Sequence, residues 1–501
     1  MPPKKLVAVM TPNNQPDAVI IGAGPAGLTA AYQLAKQGLS SVTLEQADRV
    51  GGISRTETYK GYRFDIGGHR FYTKVPEVQA LWHEVLTNDF IKVPRLSRIY
   101  YRGVFFNYPL EPFDTLIKLG LLDSFKILLS YLKIKVKPLP QERNLEEWVT
   151  NRFGRRLYAT FFKSYTEKVW GIPCNSIQAD WAAQRIKGLS LKKAMVNAVF
   201  KANDTKTLIK KFEYPRLGPG MMWERFQSLL DAGGSPVHLN TQVVRIEREG
   251  QRVQRVIARQ GDETLVFEGE HFISSMPIST LLRCLSPAPP ASVLAAAQGL
   301  RYRDFLIVSL IIDEEHLFPD NWIYIHSPEF RVGRIQNFKN WSPEMVPDAR
   351  MTCLGMEYFC SQGDDLWEMT DDKLIRLASQ EVVALGLVKG LDKIQDGVVI
   401  RQHKAYPVYD GAYRQHLKVL KDYLSSFENL QTVGRNGMHR YNNQDHSMLT
   451  GLLAAQNILG EQHDLWNVNL DRSYYEDFSK ETSKPQSAPI SENPKELQQV
   501  A

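Results

Sequence analysis

The stretch VIIGAGPAGLTAAYQL, residues 19–34, decides the fold of this 501-residue chain. A run of strand-forming residues leads directly into Gly22-x-Gly24-x-x-Gly27, and a helix of small and apolar residues follows. The first glycine permits a tight turn, the second lets the backbone approach a pyrophosphate, and the third lets helix and strand pack closely. A second strand, SVTLE, ends at Glu45, whose carboxylate can accept the hydroxyls of an adenosine ribose. The pattern predicts an α/β fold with a Rossmann-like dinucleotide-binding domain.

The segment that follows, EQADRVGGISRT at 45–56, selects among dinucleotides. Arg49 is available to phosphates, and the pair Gly51-Gly52 lets the chain run close to a long cofactor. An extended FAD requires such a segment and NAD does not. The arrangement resembles that of the flavoprotein family that includes amine oxidases, phytoene desaturases and protoporphyrinogen oxidase. The resemblance implies FAD as cofactor, bound in a domain of the glutathione reductase or amine oxidase type.

The resemblance also implies a set of FAD contacts drawn from separated parts of the chain. Beyond Glu45 and Arg49, these predicted contacts are Gly22, Ala23, Gly24, Pro25, Ala26, Gly27, Gln46, Gly51, Gly52, Ser54, Gly67, Gly68, Val244, Gly434, Arg435, Asn443, Gln444 and Ser447.

Composition is that of an ordinary globular protein, with 43% hydrophobic and 23% charged residues. The net charge of +6 is too diffuse to indicate nucleic-acid binding. The four cysteines lack metal-ligand spacing, so we expect free thiols and no metal. No window reaches the ~18 apolar residues of a spanning helix. The basic start MPPKK is followed by only five apolar residues, LVAVM, which is shorter than a signal-peptide core, so we expect a cytoplasmic protein.

Periodicity divides the chain into several predicted parts. The FAD-binding domain is expected to be discontinuous, over 17–77, 216–285 and 395–465. A mainly helical insertion that carries a substrate platform is expected over 78–215, and it includes a β-hairpin that turns at Arg102-Gly103. A β-rich substrate domain with a mixed sheet is expected over 286–394. The polar ends, 1–16 and 478–501, are expected to be disordered.

The basic and apolar segment FDTLIKLGLLDSFKILLSYLKIKVK, residues 113–137, allows two interpretations. The expected one is a helix pair packed on the body of the protein, with lysines extended outward. Weak association with a membrane surface is the alternative that the pattern leaves open.

Four further motifs resemble those of UDP-galactopyranose mutases, and they occur in the order of that family. FDIGGHRFYTK at 64–74 is similar to the flavin-adjacent histidine loop. The segment 144–185 resembles the uridine platform and first arginine, and VGRIQNFKNWSP at 332–343 resembles the loop of the second arginine. VGRNGMHRYNNQDHSMLTG at 433–451 is similar to the C-terminal flavin loop.

This resemblance implies roles for particular side chains. His69 would shape the flavin site, while Arg185 and Arg334 would hold the diphosphate of a nucleotide sugar, and these three are the predicted catalytic residues. The predicted substrate-binding residues, which would stack on uracil, border the sugar or bind the diphosphate, are Phe161, Phe162, Tyr165, Trp170, Tyr324, Tyr358, Tyr406 and Tyr441.

The implied function is the interconversion of the pyranose and furanose forms of a UDP-sugar. In such mutases reduced flavin bonds through N5 to the anomeric carbon, UDP leaves, and the sugar ring reopens and recloses without net redox change. NADPH and NADH are candidate external reductants. The alternatives are an FAD-dependent oxidoreductase acting on an amine, a porphyrinogen or an isoprenoid, and a non-catalytic flavin-binding scaffold.

Overall fold

A five-stranded parallel sheet forms the centre of the nucleotide-binding half. The computed structural model describes residues 15–179 and 211–469, together with the backbone of Leu6–Ala8. In spatial order, the strands of this sheet are Val237–His238, Ser41–Leu44, Ala18–Ile21, His271–Ser274 and Leu430–Thr432. The helix Pro25–Lys36 follows the strand Ala18–Ile21 directly, as the opening glycine motif predicts. Apolar residues of strands and helix are almost fully buried, which fixes this unit in the core.

The described residues also form a second five-stranded sheet. Its strands, in spatial order, are Leu6–Ala8, Glu263–Glu268, Arg252–Gln260, Thr241–Glu249 and Leu285–Ser286. The first of them pairs in parallel with Glu263–Glu268. The expectation that the whole of 1–16 lacks regular structure was therefore wrong for residues 6–8, because a sheet edge supplies backbone hydrogen-bond partners to this short segment. The expected tail, 478–501, lies outside the described residues.

A seven-stranded sheet supports the other half of the molecule. Its strands, in spatial order, are Ile394–Pro407, Tyr302–Ile312, Thr352–Cys360, Arg334–Asn337, Trp322–Ile325, Ser97–Tyr101 and Val104–Asn107. The last two form the predicted hairpin, and both turn residues have positive φ. The strand Ile394–Pro407 pairs along Tyr302–Ile312, so a domain boundary at residue 395 would cut a continuous ladder. The hairpin likewise crosses a predicted boundary, because its strand Ser97–Tyr101 pairs with Trp322–Ile325, which lies outside the predicted insertion 78–215.

Two short antiparallel pairs complete the strands. They are Thr56–Tyr59 with Tyr62–Asp65, and Phe90–Pro94 with Lys211–Pro215. The second pair joins the two sides of the segment that had been expected to be mainly helical.

The helices lie in the segments between the strands. The longer ones, of at least seven residues, are Pro25–Lys36, Pro76–Leu86, Pro112–Leu119, Leu121–Val136, Leu145–Phe153, Ser164–Trp170, Gly220–Ala232, Ile278–Cys284, Ala291–Gly299, Asp371–Ala384, Tyr413–Leu424 and Gln444–Ile458. Shorter α-helical turns lie at Arg155–Leu157, Phe338–Trp341, Asp365–Glu368 and Gly434–Gly437. Single 3₁₀ turns lie at Gly52–Ser54, Cys174–Ser176, Pro343–Met345, Leu391–Lys393 and Leu465–Asn467. One π-helical turn spans Tyr158–Lys163.

The architecture is the predicted mixed α/β fold, with a Rossmann-like unit and a second, largely antiparallel sheet. Among the residues that the structure describes, no helix combines the length and the apolar character needed to cross a membrane.

Candidate active site

The glycine motif forms a turn that requires glycine at two of its three positions, Gly22 and Gly27. Gly22 has φ of 99°, and its N–H donates to the carbonyl of Leu44 at 2.8 Å. A Cβ on Gly27 would lie 1.9 Å from the carbonyl oxygen of Gly22, so the helix could not approach the turn with any other residue there. A Cβ on Gly24, in contrast, would meet no protein atom within 4 Å. Space is therefore left beside Gly24, at the N-terminus of the helix Pro25–Lys36, where a pyrophosphate is favoured.

Glu45 lies at the edge of this space and is held by the backbone of the turn. Its carboxylate accepts hydrogen bonds from Ala23 N at 2.8 Å and Ala47 N at 2.9 Å. Burial raises the pKa of Glu45, while these backbone bonds and Arg55 act in the opposite direction. The carboxylate is thus fixed at the end of its strand, as binding of a ribose would require.

The segment after Glu45 returns to the glycine turn. Gly51 has φ of 101°, and its N–H donates to Ala23 O at 2.8 Å. The Cβ that a substitution would add to Gly52 lies 3.5 Å from Gly24 Cα. Arg49 binds Glu57 at 2.8 Å and Asp48 at 3.1 Å, so its guanidinium is engaged by carboxylates.

The remaining predicted contacts on this side lie in separate parts of the chain. Ser54 is buried and donates to Gly51 O at 3.1 Å. Val244 lies at a β-bulge of the strand Thr241–Glu249, whose first N–H donates to Glu45 O. Gly434, with φ of 79°, is packed close to Ala26: its added Cβ would lie 3.1 Å from the side chain of that residue. Ser447 is in the first turn of the helix Gln444–Ile458, and Gln46 follows Glu45 directly.

A cavity of about 430 Å³ is lined by strands of the seven-stranded sheet, by the helical segment 161–170 and by the segments 66–72 and 435–445. It brings together fourteen of the predicted site residues, namely Gly67, Gly68, His69, Phe161, Phe162, Tyr165, Trp170, Tyr324, Arg334, Tyr406, Arg435, Tyr441, Asn443 and Gln444. These residues come from five separate stretches of the chain, so the cavity is the candidate active site.

The loop Gly67-Gly68-His69 forms one wall of the cavity. Gly67 has φ of 90°, and a Cβ on Gly68 would lie 3.0 Å from Gln336 Nε2 and 3.2 Å from the ring of Trp341. The pKa of His69 is lowered to about 3, because the imidazole is removed from bulk water and the charges of Arg435 and Arg334 oppose its protonation. His69 is therefore a neutral hydrogen-bonding group near pH 7.

Arg334 and Arg435 bring positive charge to the same wall. Arg334 is bound through Nε and Nη2 to a carboxylate oxygen of Glu357, at 2.6 and 2.5 Å, and Gln336 Nε2 donates to the other oxygen at 2.8 Å. Arg435 donates to the carbonyls of Asn442 at 2.9 Å and Ala405 at 3.1 Å. One arginine is thus neutralised by a carboxylate, whereas the other is held by neutral acceptors.

Arg95 is a functional candidate that the sequence did not reveal. It lines the cavity, and its guanidinium carbon lies 5.5 Å from the ring centroids of both Tyr108 and Trp322. Its three guanidinium nitrogens are buried, and none has a hydrogen-bond partner among the described residues. A buried cation without a partner is costly, so this group is suited to an anionic ligand.

The cavity lining as a whole carries more arginine than carboxylate. Arg70, Arg95, Arg334 and Arg435 all contribute, while Asp445 is the one acidic side chain among the described lining residues. Burial raises the pKa of Asp445 to about 7. Even with Glu357 counted behind Arg334, the described cavity has excess positive charge.

The aromatic wall is built on the π-helical turn and the helix that follows it. The wider turn at Tyr158–Lys163 lets the adjacent Phe161 and Phe162 both line the cavity, although Phe161 also packs on Phe106 at 5.2 Å between ring centroids. π-Helical turns of this kind are frequent at functional sites.

Two clusters of packed aromatic side chains contribute to this wall. Tyr165 is stacked on His326, with centroids 4.5 Å apart and rings within 9° of parallel, and it meets Tyr324 edge to face at 5.6 Å. Tyr406 is stacked on Tyr441 at 5.6 Å, and Trp170 lies about 6 Å from both. His326 was not predicted as a site residue, because an isolated histidine after a strand carries no distinguishing sequence signal. The same is true of Arg95, which lies in none of the quoted motifs.

Lys168 fixes the helix Ser164–Trp170 to the seven-stranded sheet. Its ammonium donates to the carbonyls of Ile325 at 3.0 Å, Ser327 at 3.2 Å and Val332 at 3.0 Å. Burial lowers the pKa of Lys168 to about 8. The three bonds hold the helix that carries Tyr165 against the strand that carries Tyr324.

Two of the predicted catalytic and substrate-binding residues are not part of the described cavity. Tyr358 is fully buried on the other side of its strand and donates to Glu381 at 2.8 Å, so its assignment to substrate binding was wrong. Alternation along the strand explains this, because the neighbouring Glu357 faces Arg334. Arg185 lies outside the described residues.

The residues present fit an extended FAD. The open space at Gly24, the fixed carboxylate of Glu45 and the close pair Gly51-Gly52 match the needs of its adenosine diphosphate half. At the other end, His69 Nδ1 and Gln444 Oε1 face the cavity region as buried polar atoms with no hydrogen-bond partner in the described chain. A polar ring system placed there would supply partners to both.

Comparisons with known proteins agree with this geometry. A family model described as flavin containing amine oxidoreductase matches residues 25–459. Pseudooxynicotine dehydrogenase of Pseudomonas sp is 37% identical over 83 residues, which are 17% of this chain and 16% of that protein. A probable UDP-galactopyranose mutase of Klebsiella pneumoniae is 27% identical over 177 residues, which are 33% of this chain and 44% of that protein. The chain therefore matches less than half the length of these curated relatives.

A solved structure resembles most of the chain. The crystal structure of a reduced UDP-galactopyranose mutase superposes with a TM-score of 0.79 at 23% identity, over 91% of this chain and 98% of that one. At this identity the likeness establishes the fold.

Proposed function

Because the chain belongs to the flavin-containing amine oxidoreductase family, and its cavity is both aromatic and positively charged, we propose that it acts on a nucleotide sugar. The proposed reaction is the interconversion of the pyranose and furanose forms of a UDP-sugar, as in UDP-galactopyranose mutases. FAD, when bound and reduced, would supply a nucleophilic nitrogen to the anomeric carbon.

The observation that carries this proposal is the buried guanidinium of Arg95, which has no hydrogen-bond partner among the described residues, in an arginine-rich cavity. A diphosphate carries negative charge that forked guanidinium donors bind well. An amine substrate would bring a cation next to Arg95 and Arg435, and like charges in a desolvated site are strongly unfavourable. The charge of the cavity thus favours an anionic substrate over an amine.

The aromatic groups support the nucleotide part of the proposal. Tyr165 on His326 offers a flat, rigid surface that uracil could stack on without many directional bonds. The pKa values of Tyr165 and Tyr406 are raised by burial, so both hydroxyls stay protonated and can donate to phosphate oxygens. Trp170, packed beside Tyr406 and Tyr441, would border the sugar.

The proposed division of labour follows from these contacts. Arg95, Arg334 and, from the sequence, Arg185 would stabilise the diphosphate as its bond to the sugar breaks. His69 would remain uncharged and would contact the bound cofactor. No side-chain nucleophile is needed, and the aromatic walls would exclude water while the sugar ring is open.

A porphyrinogen oxidase is the second candidate, since the carboxylates of a porphyrinogen could bind the same arginines. Binding by FAD-loaded protein separates the candidates. We expect UDP to perturb the flavin absorbance spectrum, and putrescine to leave it unchanged. Flavin reduction by putrescine or by coproporphyrinogen III under anaerobic conditions, with no response to UDP, would overturn the proposal.

A further inference from the structure

The helix Leu121–Val136 is apolar on two opposite sides. Its inner side packs on the body through Ile127, which is almost fully buried. At 3.6 residues per turn, a second stripe lies on the far side of the helix. With Ile117 of the preceding helix, we define as the exposed apolar face the side chains Leu121, Leu122, Phe125, Leu128, Leu129, Leu132 and Val136. Two of these, Leu121 and Val136, are 91% and 86% exposed.

This concentration of exposed apolar residues is not shared by the rest of the described surface. Nine of the thirteen exposed large hydrophobic side chains among the described residues lie between 117 and 139. The other four, Leu96, Leu391, Val419 and Leu459, are scattered along the chain. Single exposed apolar residues are common, whereas a contiguous patch marks a binding surface.

Lysines border the face on both sides. Helical geometry places Lys126 and Lys133 along one edge and Lys135 along the other. The two acidic residues of the segment are already paired: Asp114 with Lys118 at 2.8 Å, and Asp123 with Arg156 at 2.9 Å. The face therefore presents an apolar centre with a positive rim.

We propose that this face docks on the surface of a lipid bilayer that contains anionic lipids. The apolar side chains would enter the boundary of the acyl chains, and the lysines would extend to the phosphates. The helix has 16 residues, about 24 Å at 1.5 Å per residue, and its lysines suit it to lie in the plane of the interface. A second copy of the chain fits less well, because a symmetric contact would bring the same lysines together.

The docking face is joined to the cavity by short connections. Leu110 lines the cavity, and the helix Pro112–Leu119 begins two residues later. On the other side, the backbone of Tyr131 lies so close to Gly154 that a Cβ there would come within about 3 Å of it. Next to that contact, Phe153 is stacked on the cavity residue Phe162 at 5.6 Å. Docking would hold this wall of the cavity near the bilayer.

The proposal is tested by co-sedimentation of the full-length, FAD-loaded protein with vesicles. We expect binding to vesicles of phosphatidylcholine mixed with phosphatidylglycerol, and weaker binding to phosphatidylcholine alone. The variant Lys126→Glu/Lys133→Glu should bind the mixed vesicles at least about 25-fold more weakly, since each lysine near an anionic surface contributes roughly fivefold. The variant Phe125→Gln/Leu129→Gln/Leu132→Gln should lose binding to both.

The matched control is Leu391→Gln/Leu459→Gln, which removes exposed apolar side chains elsewhere and should bind as wild type does. FAD content and thermal unfolding show that each variant is folded. Absence of vesicle binding by the wild type, or equal binding by the triple variant, would overturn the proposal. A wild-type dimer in sedimentation velocity that the triple variant dissociates, without vesicle binding, would assign the face to a second copy. A large loss of thermal stability in the triple variant, again without vesicle binding, would mean that another part of the chain covers the face.

Discussion

Arg334 and Glu357 form a buried ion pair across neighbouring strands at the wall of the cavity. Glu357 is fully buried, and the guanidinium holds one of its oxygens at 2.5 Å. The carboxylate orients the arginine and at the same time cancels part of its charge. Arg95, which has no such partner in the described structure, then carries the uncompensated charge of the cavity.

Removing Arg334 alone should damage stability and ligand binding together. In Arg334→Met, Glu357 would remain buried with Gln336 as its polar partner, at a cost of roughly 3–5 kcal/mol in the free energy of unfolding. The double variant Arg334→Met/Glu357→Met should recover most of that stability and should still bind UDP poorly. Urea unfolding and calorimetric titration measure the two effects. Recovery of UDP affinity in the double variant would exclude Arg334 as a ligand of the diphosphate.

Removing Arg95 should weaken UDP binding without lowering stability. In Arg95→Met the free energy of unfolding should be unchanged or higher, because the substitution removes a buried cation that has no hydrogen-bond partner in the described part of the chain. UDP affinity should fall by about ten- to a hundredfold, the value of one or two charge-assisted hydrogen bonds. Thermal unfolding and titration of holo protein with UDP give both numbers.

Arg98, three residues away, is the matched control for Arg95. It binds the buried carboxylate of Asp320 and does not line the cavity. Arg98→Met should therefore lose stability while UDP affinity stays near the wild-type value. Equal effects of the two substitutions on UDP affinity would show that Arg95 has no specific role in binding.

The space beside Gly24 can be tested with a single methyl group. In Gly24→Ala the added Cβ meets no protein atom within 4 Å, so the apoprotein should change in stability by less than about 1 kcal/mol. FAD retention should nevertheless fall at least tenfold, since the methyl group enters the space assigned to the pyrophosphate. Gly411→Ala, whose Cβ would be 3.8 Å from Gln178, is the control that should keep FAD. Normal FAD content in Gly24→Ala would contradict the assignment.

Buried histidines should make stability depend on pH. Burial, assisted by the charge of Lys168, lowers the pKa of His326 to about 3 in the folded state, against 6.5 for the ordinary group. The unfolded chain therefore binds the proton first, and stability falls as pH decreases from about 6.5 towards 3, by up to about 1.4 kcal/mol per pH unit for this group. His326→Phe keeps a ring stacked on Tyr165 and should flatten the slope.

Urea unfolding of wild type and His326→Phe at pH 7 and pH 5 measures this difference. His69 acts in the same direction as His326, while Asp65 and Asp445, whose pKa values are raised to about 8 and 7, act in the opposite direction. All three are present in both proteins, so their contributions cancel in the comparison. An identical slope in the two proteins would mean that His326 is not held neutral.

The parts of the fold that depend on local geometry could be predicted from the sequence. Gly22, Gly24, Gly27 and Glu45 act within one β-α-β unit, so their spacing alone specifies the turn. The partners of Ile394–Pro407 could not be predicted, because pairing with Tyr302–Ile312 is decided by contacts about ninety residues away. For the same reason the short strand Leu6–Ala8 was missed, since its partner lies near residue 265.

The candidate active site likewise contains residues that the sequence could reveal and residues that only the fold reveals. Tyr165, Trp170 and Arg334 lie in motifs whose resemblance to a known family directed attention to them, and all three line the cavity. Arg95 lies in no such motif, and its importance comes from its surroundings, where the described residues supply two aromatic rings and no hydrogen-bonded carboxylate. Tyr358 and Glu357 are adjacent in the sequence and face opposite sides of one strand, which only the register of the sheet could decide.

The central claim is tested most directly by following UDP-galactofuranose in the presence of the FAD-loaded protein, reduced anaerobically with dithionite, with the oxidised protein as control. Chromatography separates the two sugar nucleotides. We predict conversion to UDP-galactopyranose by the reduced protein and none by the oxidised protein. No conversion by the reduced protein, together with an unchanged flavin spectrum on addition of UDP, would contradict the account.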